Sequence, residues 1–192
     1  MPEYTKDKIA DTLMRLLANK SLDKITVKLL VSECGISRQS FYYYFQDILD
    51  VTQWLIRKKT NELLQKSLKQ EDPRDIVSLY VDFAYDNKEM IGRLLDSRHR
   101  EFIEHALMDS FRSYIQKLVL FRSPETPLYI SDLESTLNFC TYGLTGMLLE
   151  HIGKKQGNRE LLVQQMNRLL GRVLKKTVSD TGPLSLTDVS TI

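Results

Sequence analysis

Cysteine, glycine and long apolar runs are all scarce in this chain, and each shortage closes off a class of function. The only cysteines, Cys34 and Cys140, lie far apart and in no C-x-x-C pair, which excludes a disulfide framework and a cysteine zinc site. Each reads as a small buried hydrophobe. Eight glycines are scattered over 192 residues. No G-x-x-x-x-G-K, G-x-G-x-x-G or G-x-S-x-G occurs, so phosphate cradling, dinucleotide binding and a nucleophile elbow have no carrier. His99, His105 and His151 form no H-x-x-x-H or H-E-x-x-H, and the spacing of His99 from His105 puts them on different helix faces. No metal, no cofactor and no enzymatic activity are expected. No window approaches the run of about 18 apolar residues that a bilayer requires. The opening Met1-Pro2-Glu3-Tyr4-Thr5-Lys6-Asp7 lacks the apolar core of a signal peptide, so a cytoplasmic chain with no membrane segment is expected.

What is present is ordinary globular material, 42% hydrophobic and 27% charged, in a chain of 22.4 kDa long enough for a real core. A net charge of +2 argues only weakly for nucleic acid. From Glu3 to Asp47 the cations Lys6, Lys8, Arg15, Lys20, Lys24, Lys28 and Arg38 are almost balanced by Glu3, Asp7, Asp11, Asp23, Glu33 and Asp47. Any binding by this segment must then rest on placed contacts and on pairing two copies.

Proline punctuates the chain. Pro73, Pro124 and Pro127 interrupt its middle and Pro2 and Pro183 its ends, leaving long windows with helical periodicity and no competing strand pattern. Helices are predicted near 5–20, 26–34, 37–44, 47–67, 74–87, 88–95, 98–121, 129–154 and 158–177, about nine in an all-α fold. Ile9, Leu13, Leu16 and Leu17 stripe the first, and Ile103, Leu107, Tyr114, Leu118 and Phe121 the seventh. Leu133, Leu137, Cys140, Leu144, Met147 and Leu148 stripe the eighth, and Leu162, Met166, Leu169, Leu170 and Val173 the ninth. From Val178 on, Ser-Asp-Thr-Gly-Pro and further Ser and Thr read as a polar, flexible tail.

Residues 34–45 are the most informative stretch. Gly35 suits the positive φ that ends a helix, Ser37 is an N-cap type, and Phe41-Tyr42-Tyr43-Tyr44-Phe45 is too much aromatic surface for one buried face. On a helix Phe41 and Phe45 stand one turn apart on one side, while Tyr42 and Tyr43 fall beneath Arg38 and Gln39 on another. Exposed Arg, Gln and phenol groups suit phosphates and base edges. Thr26 caps the preceding helix, whose Val27, Leu30, Val31 and Cys34 share a face, and Ile36 plugs the turn. With the helix over Ile9 to Leu17, these segments make a three-helix headpiece of helix-turn-helix type.

The run from Thr26 through Gly35 and Ser37 to Phe45 resembles the headpiece signature of the tetracycline-repressor (TetR) family of transcriptional regulators, over roughly residues 5–50. The aromatic run is most similar to a branch that includes activators of dihydroxyacetone-kinase operons. The resemblance implies a DNA-binding domain at 1–47, a helical ligand-sensing and dimerisation domain at 48–178 and a flexible tail at 179–192. It implies a homodimer on a double-stranded DNA operator, one recognition helix per major groove, with a small-molecule effector as a further partner. Thr26, Lys28, Ser37, Tyr42 and Tyr43 would meet phosphates, Arg38, Gln39 and Ser40 base edges, and Tyr44 either. The alternative is an activator whose body docks a protein rather than a small molecule. Repression and activation are both compatible with the residues. Where the family commonly carries a Lys just after the closing Phe, this chain has Ile48 beside Asp47, so Gln46 or a backbone N–H would have to meet that phosphate.

In the body, Gly143 and Gly146, beside Met147, let a second helix approach closely. Packing within one subunit would explain them, but the resemblance implies a dimer seam of this helix with Leu162, Met166, Leu169, Leu170 and Val173. Trp54, Tyr80, Phe83, Tyr85, Phe111, Arg112, Tyr114, Asn138 and Tyr142 are candidates to line a pocket or simply to fill a core, and no ligand residue is singled out among them.

Overall fold

The computed structural model describes residues 2–122, 130–152 and 157–179, and the side chains of residues 3–122, 134–152 and 157–171. Among them the elements are α1 (Pro2–Leu17), a 3-10 turn (Leu22–Lys24), α2 (Val27–Cys34), α3 (Arg38–Tyr44), α4 (Ile48–Ser67), α5 (Pro73–Asp86), α6 (Lys88–Leu95), α7 (Arg100–Arg122), α8 (Ile130–Ile152) and α9 (Arg159–Ser179). No strand occurs among the described residues. The all-α architecture is the expected one. The predicted tail beyond Ser179, the connection 123–129 and the Leu133 side chain lie outside the described residues.

Local chemistry explains most boundaries. Asp72 caps α5 by accepting from the Arg74 N–H at 2.8 Å, and Pro73 fills the first helical position, where a missing N–H costs nothing. The Arg74 guanidinium also holds the exposed Asp72 carboxyl below its usual range. α4 ends where Arg122 of α7 reaches across and donates to the Ser67, Gln70 and Glu71 carbonyls, a cation on the electron-rich end of a helix. α1 stops at Leu17 rather than near residue 20 because the chain turns there into the 3-10 segment, which buries Leu22.

One continuous core joins headpiece to body. Ile9, Leu13, Leu30 and Phe41 lie at its lower end, Val51, Leu55 and Ile56 of α4 carry it upward, and Phe111, Leu148 and Leu162 lie in the body. α4 is thus the shared beam. In α7, Ile103, Leu107 and Tyr114 are buried as expected, whereas Phe121, predicted in the stripe, is 60% exposed. The buried stripe ends with Tyr114 and the half-buried Leu118.

Tyr80 forms the centre of the body. Its ring stacks on Tyr114 at 6.0 Å and meets Phe111 edge-on at 5.1 Å, while its hydroxyl shares a 3.1 Å hydrogen bond with Thr145. Tyr114 likewise shares a 2.9 Å bond with Ser67. Burial pushes the Tyr114 phenol up to about 12 and Tyr80 further, against the opposing pull of these hydrogen bonds. Both stay protonated in the folded chain after an unfolded one has begun to ionise near 10.0. Their contribution is therefore complete below pH about 10 and is lost as the pH rises beyond it. The urea midpoint should fall between pH about 9 and 11, and the fall should shrink in Tyr80→Phe. An equal fall in the variant would show that this phenol is not the cause.

Candidate nucleic-acid interface

α2 and α3 are built by three caps. The Thr26 hydroxyl oxygen accepts from the Leu29 N–H at 3.2 Å and starts α2. Gly35, at φ 67°, ends it in the left-handed region, with the Ile36 N–H bonded to the Val31 carbonyl at 3.1 Å. The Ser37 oxygen then accepts from the Ser40 N–H at 3.0 Å and starts α3. Each hydroxyl spends a lone pair on its cap and keeps its proton for another acceptor, so capping and phosphate contact are compatible.

The two faces of α3 differ sharply. Phe41 and Phe45 are buried, while Arg38, Gln39, Tyr42 and Tyr43 are exposed, Tyr43 at 80%. Thr26, Lys28 and Ser37 are exposed on the same part of the chain. Ser40 and Tyr44 are half-buried, Tyr44 held edge-on by Tyr43 at 4.9 Å. An aromatic helix with a solvent-facing stripe of donors would be a poor solution for a core alone.

The near-neutral charge of the headpiece conceals a sorting by face. Asp7 accepts from the Trp54 indole N–H at 3.0 Å, Lys58 lies 2.8 Å from Asp11, and Arg98 lies 3.7 Å from Asp23 and donates its backbone N–H to the same carboxylate. Three of the six acids between Glu3 and Asp47 are thereby turned toward α4 and the turn between α6 and α7. Lys28 and Arg38 keep their charges on the helix-turn-helix surface. Lys6 is held over Trp54, 4.5 Å from the ring centroid.

At the start of α4 one of the expected replacement contacts is taken. The Gln46 N–H donates to Asp50 at 3.1 Å and the Asp50 N–H to Asp47 at 2.9 Å, so this first turn presents two carboxylates and no free Gln46 N–H. The Gln46 side chain remains, together with the Ile48 and Leu49 N–H groups, which have no acceptor among the described residues.

The body offers a second exposed surface. Gly143 and Gly146 are exposed, and beside them on α8 Phe139 and Tyr142 are 66% and 63% exposed. Leu161 and Leu169 of α9 are also open, and Met147 and Leu170 half-buried. Leu162 and Met166 are a correction to the predicted seam: both are fully buried in the subunit's own core, so neither has surface to give a partner. The Val173 side chain lies outside the described residues. Phe139, Tyr142 and Leu161 were missed, although apolar residues all round α8 signal a helix covered on two sides. One pocket candidate is also corrected: Tyr142 faces out. Trp54 packs against Phe45 of the headpiece and, with Tyr114, lines an open groove between α4 and α7. Arg112 pairs with Asn138 at 3.0 Å and Glu134 at 3.2 Å.

Among the described residues no three His, Cys, Asp or Glu side chains converge as a metal site, and no helix is long and apolar enough to cross a membrane.

Comparison with known proteins agrees with this geometry. Residues 9–51 match the model for bacterial regulatory proteins of the tetR family, and residues 71–172 a transcriptional regulator C-terminal region. The uncharacterized HTH-type transcriptional regulator YerO of Bacillus subtilis (strain 168) is 23% identical over 67% of this chain and 50% of its own length, so the chain spans about half of that relative. The HTH-type dhaKLM operon transcriptional activator DhaS of Lactococcus lactis subsp. lactis (strain IL1403) is 21% identical over 88% of this chain and 90% of its own. Among solved structures, a dihydroxyacetone kinase operon activator DhaS aligns with TM-score 0.65 at 19% identity, covering 89% of this chain and 96% of that one. The fatty acid degradation regulator FadR from Bacillus halodurans aligns with TM-score 0.57 at 17% identity, covering 86% and 94%. At such identities the structural likeness is one of fold.

Proposed function

The chain belongs to the tetR family of bacterial regulatory proteins, and we propose that it binds a two-fold operator as a homodimer and answers to a small-molecule effector. One observation carries the DNA reading: α3 buries Phe41 and Phe45 and turns Arg38, Gln39, Tyr42 and Tyr43 to solvent. In this reading α3 enters the major groove, with Arg38 and Gln39 at base edges and Lys28, Thr26, Ser37, Tyr42 and Tyr43 on phosphates. Ser40 and Tyr44, being half-buried, support the helix and touch DNA only at their edges. Pairing runs through the open face of α8 and α9, where Gly143 and Gly146, one turn beyond the exposed Phe139 and Tyr142, admit a partner helix. Two linked headpieces raise affinity without any new contact.

The proportions of the chain support domains of 1–47 and 48–178, since α4 starts at Ile48 behind its Asp47 cap. A second reading, a transcriptional activator whose body docks a protein, is favoured by the similarity to DhaS, which is named as an operon activator. The two differ in what the body binds and share the headpiece.

The test is substitution on the outward stripe. Arg38→Ala and Tyr42→Phe should weaken operator binding with circular dichroism unchanged; a lost base contact costs about 1–3 kcal/mol and relaxes specificity at one position, whereas a lost phosphate contact weakens all sequences alike. Undiminished gel-shift affinity in both variants would remove α3 as the reader.

A further inference from the structure

The headpiece meets the body at two places. The first is α4, which follows it directly and carries the shared core. The second lies between the turn after α1 and the turn joining α6 to α7. There the Asp23 carboxylate accepts from the Arg98 backbone N–H, 3.3 Å from each oxygen, and the Arg98 guanidinium stands 3.7 Å from the same group. With α4 set aside, this is the one polar link from the headpiece to the body among the described residues. Both sides of it are held firmly. Asp23 lies in the 3-10 turn between Leu22 and Ile25, both buried, and Thr26, the cap of α2, follows directly. Opposite, buried Ser97 donates to the Leu94 carbonyl at 2.7 Å and accepts from the His99 N–H at 3.3 Å, while the Arg98 side chain donates to His99 Nε2 at 3.0 Å. The Asp96, Ser97 and Arg100 N–H groups are likewise bonded within α6 and the turn, so the Arg98 N–H is the donor left for the headpiece.

We propose that Asp23 is a positioning residue for operator binding: it latches the headpiece to the α6–α7 turn and sets the angle at which the body presents α3. Two bodies joined at one place can rock about it, and a second fixed point removes that freedom. α6 also packs beside α1, but apolar contact is non-directional and tolerates a slide, whereas a hydrogen bond to one N–H has a preferred distance and angle. So exposed an ion pair adds little to folding stability. Its effect is on orientation. The charge of Asp23 gives the idea a sign, because a free carboxylate three residues before Thr26 would oppose an approaching phosphate and its removal alone should tighten binding. A latch predicts the reverse for a two-fold site. The inference rests on the two-fold reading above, since the angle matters only where two headpieces must match two half-sites.

Duplexes are selected by the wild-type chain from a random pool, and the recovered two-fold site is remade as a single arm and with one base pair added at or removed from its centre. One base pair turns the second arm by about 35° and moves it by about 3.4 Å. The wild type should prefer the selected spacing at least about tenfold, because a misplaced arm forfeits the tethered second contact. Asp23→Ala should flatten that preference to less than about threefold and weaken binding to the selected site, with single-arm affinity not reduced. Asp23→Asn keeps an oxygen for the Arg98 N–H and should restore the preference. A spacing preference absent from the wild type, or kept in Asp23→Ala, would overturn the latch. So would an Asp23→Asn protein that behaves like Asp23→Ala, or an equal loss on the single arm and the full site, which marks a disturbed α2 rather than a changed angle. A wild type that gains nothing from the second arm would overturn the two-fold reading itself, and the latch with it.

Discussion

Phe41→Ala should abolish operator binding while the body stays folded. Phe41 has no exposed surface, and it packs against Tyr42 at 5.3 Å and Phe45 at 6.1 Å between ring centroids. Truncating a buried Phe costs about 3–5 kcal/mol. A headpiece of some 45 residues buries little core of its own and is correspondingly marginal. What ties it to the body is the apolar core continued by Val51, Leu55 and Ile56 of α4; the half-exposed polar contacts of Asp7 with Trp54, Asp11 with Lys58 and Asp23 with Arg98 add little to it. The variant should lose part of its far-ultraviolet helical signal and shift Trp54 emission, because Trp54 sits 6.3 Å from the Phe45 ring. Tyr43→Ala is the control. At 80% exposure it should change stability by less than about 0.5 kcal/mol while weakening DNA binding. Wild-type affinity in Phe41→Ala would mean that the headpiece core lies elsewhere.

The headpiece was legible because its information is local. A cap at Thr26, a left-handed glycine at position 35, a cap at Ser37 and an aromatic repeat determine α2 and α3 within twenty residues, and the structure realises each in place. The body was legible only as helices. Periodicity shows that Leu162 and Met166 are covered but not by whom, and in the structure the cover is the subunit itself. Phe121 failed for the converse reason: its spacing fits the stripe, yet none of the described residues covers its ring, which is exposed. The sorting of headpiece charge was invisible because it depends on partners 47 and 75 residues apart, Asp11 with Lys58 and Asp23 with Arg98. A net charge cannot say which face its members occupy. The closure of the Gln46 N–H by Asp50 is local, and Asp-x-x-Asp at positions 47 and 50 was a cap signal available in the sequence.

Gly146→Leu should split the dimer without unfolding the subunit. A Cβ added at Gly146 meets no atom within 4 Å, and the same holds at Gly143, so neither glycine is required by packing inside one chain. Their φ values are not positive either, since Gly35 is the one described residue in the left-handed region. Close approach by a partner helix, as proposed, accounts for two exposed glycines that each stand one turn beyond an exposed aromatic, Gly143 beyond Phe139 and Gly146 beyond Tyr142. A Leu there would hold that helix off along the whole seam. The variant should keep its thermal midpoint at low concentration, because Gly replaced within a helix is intrinsically stabilising by about 0.5–1 kcal/mol toward Ala. It should sediment as a monomer where the wild type is a dimer at micromolar concentration. Loss of the tethered second headpiece should then lower operator affinity by about 10²–10⁴, with half-site affinity unchanged. Leu162→Ala separates the two kinds of burial. It should cost about 2–5 kcal/mol of folding stability and leave the folded fraction dimeric. A Gly146→Leu protein that remains dimeric with full operator affinity would place the seam elsewhere on the body, and a wild-type monomer would remove it.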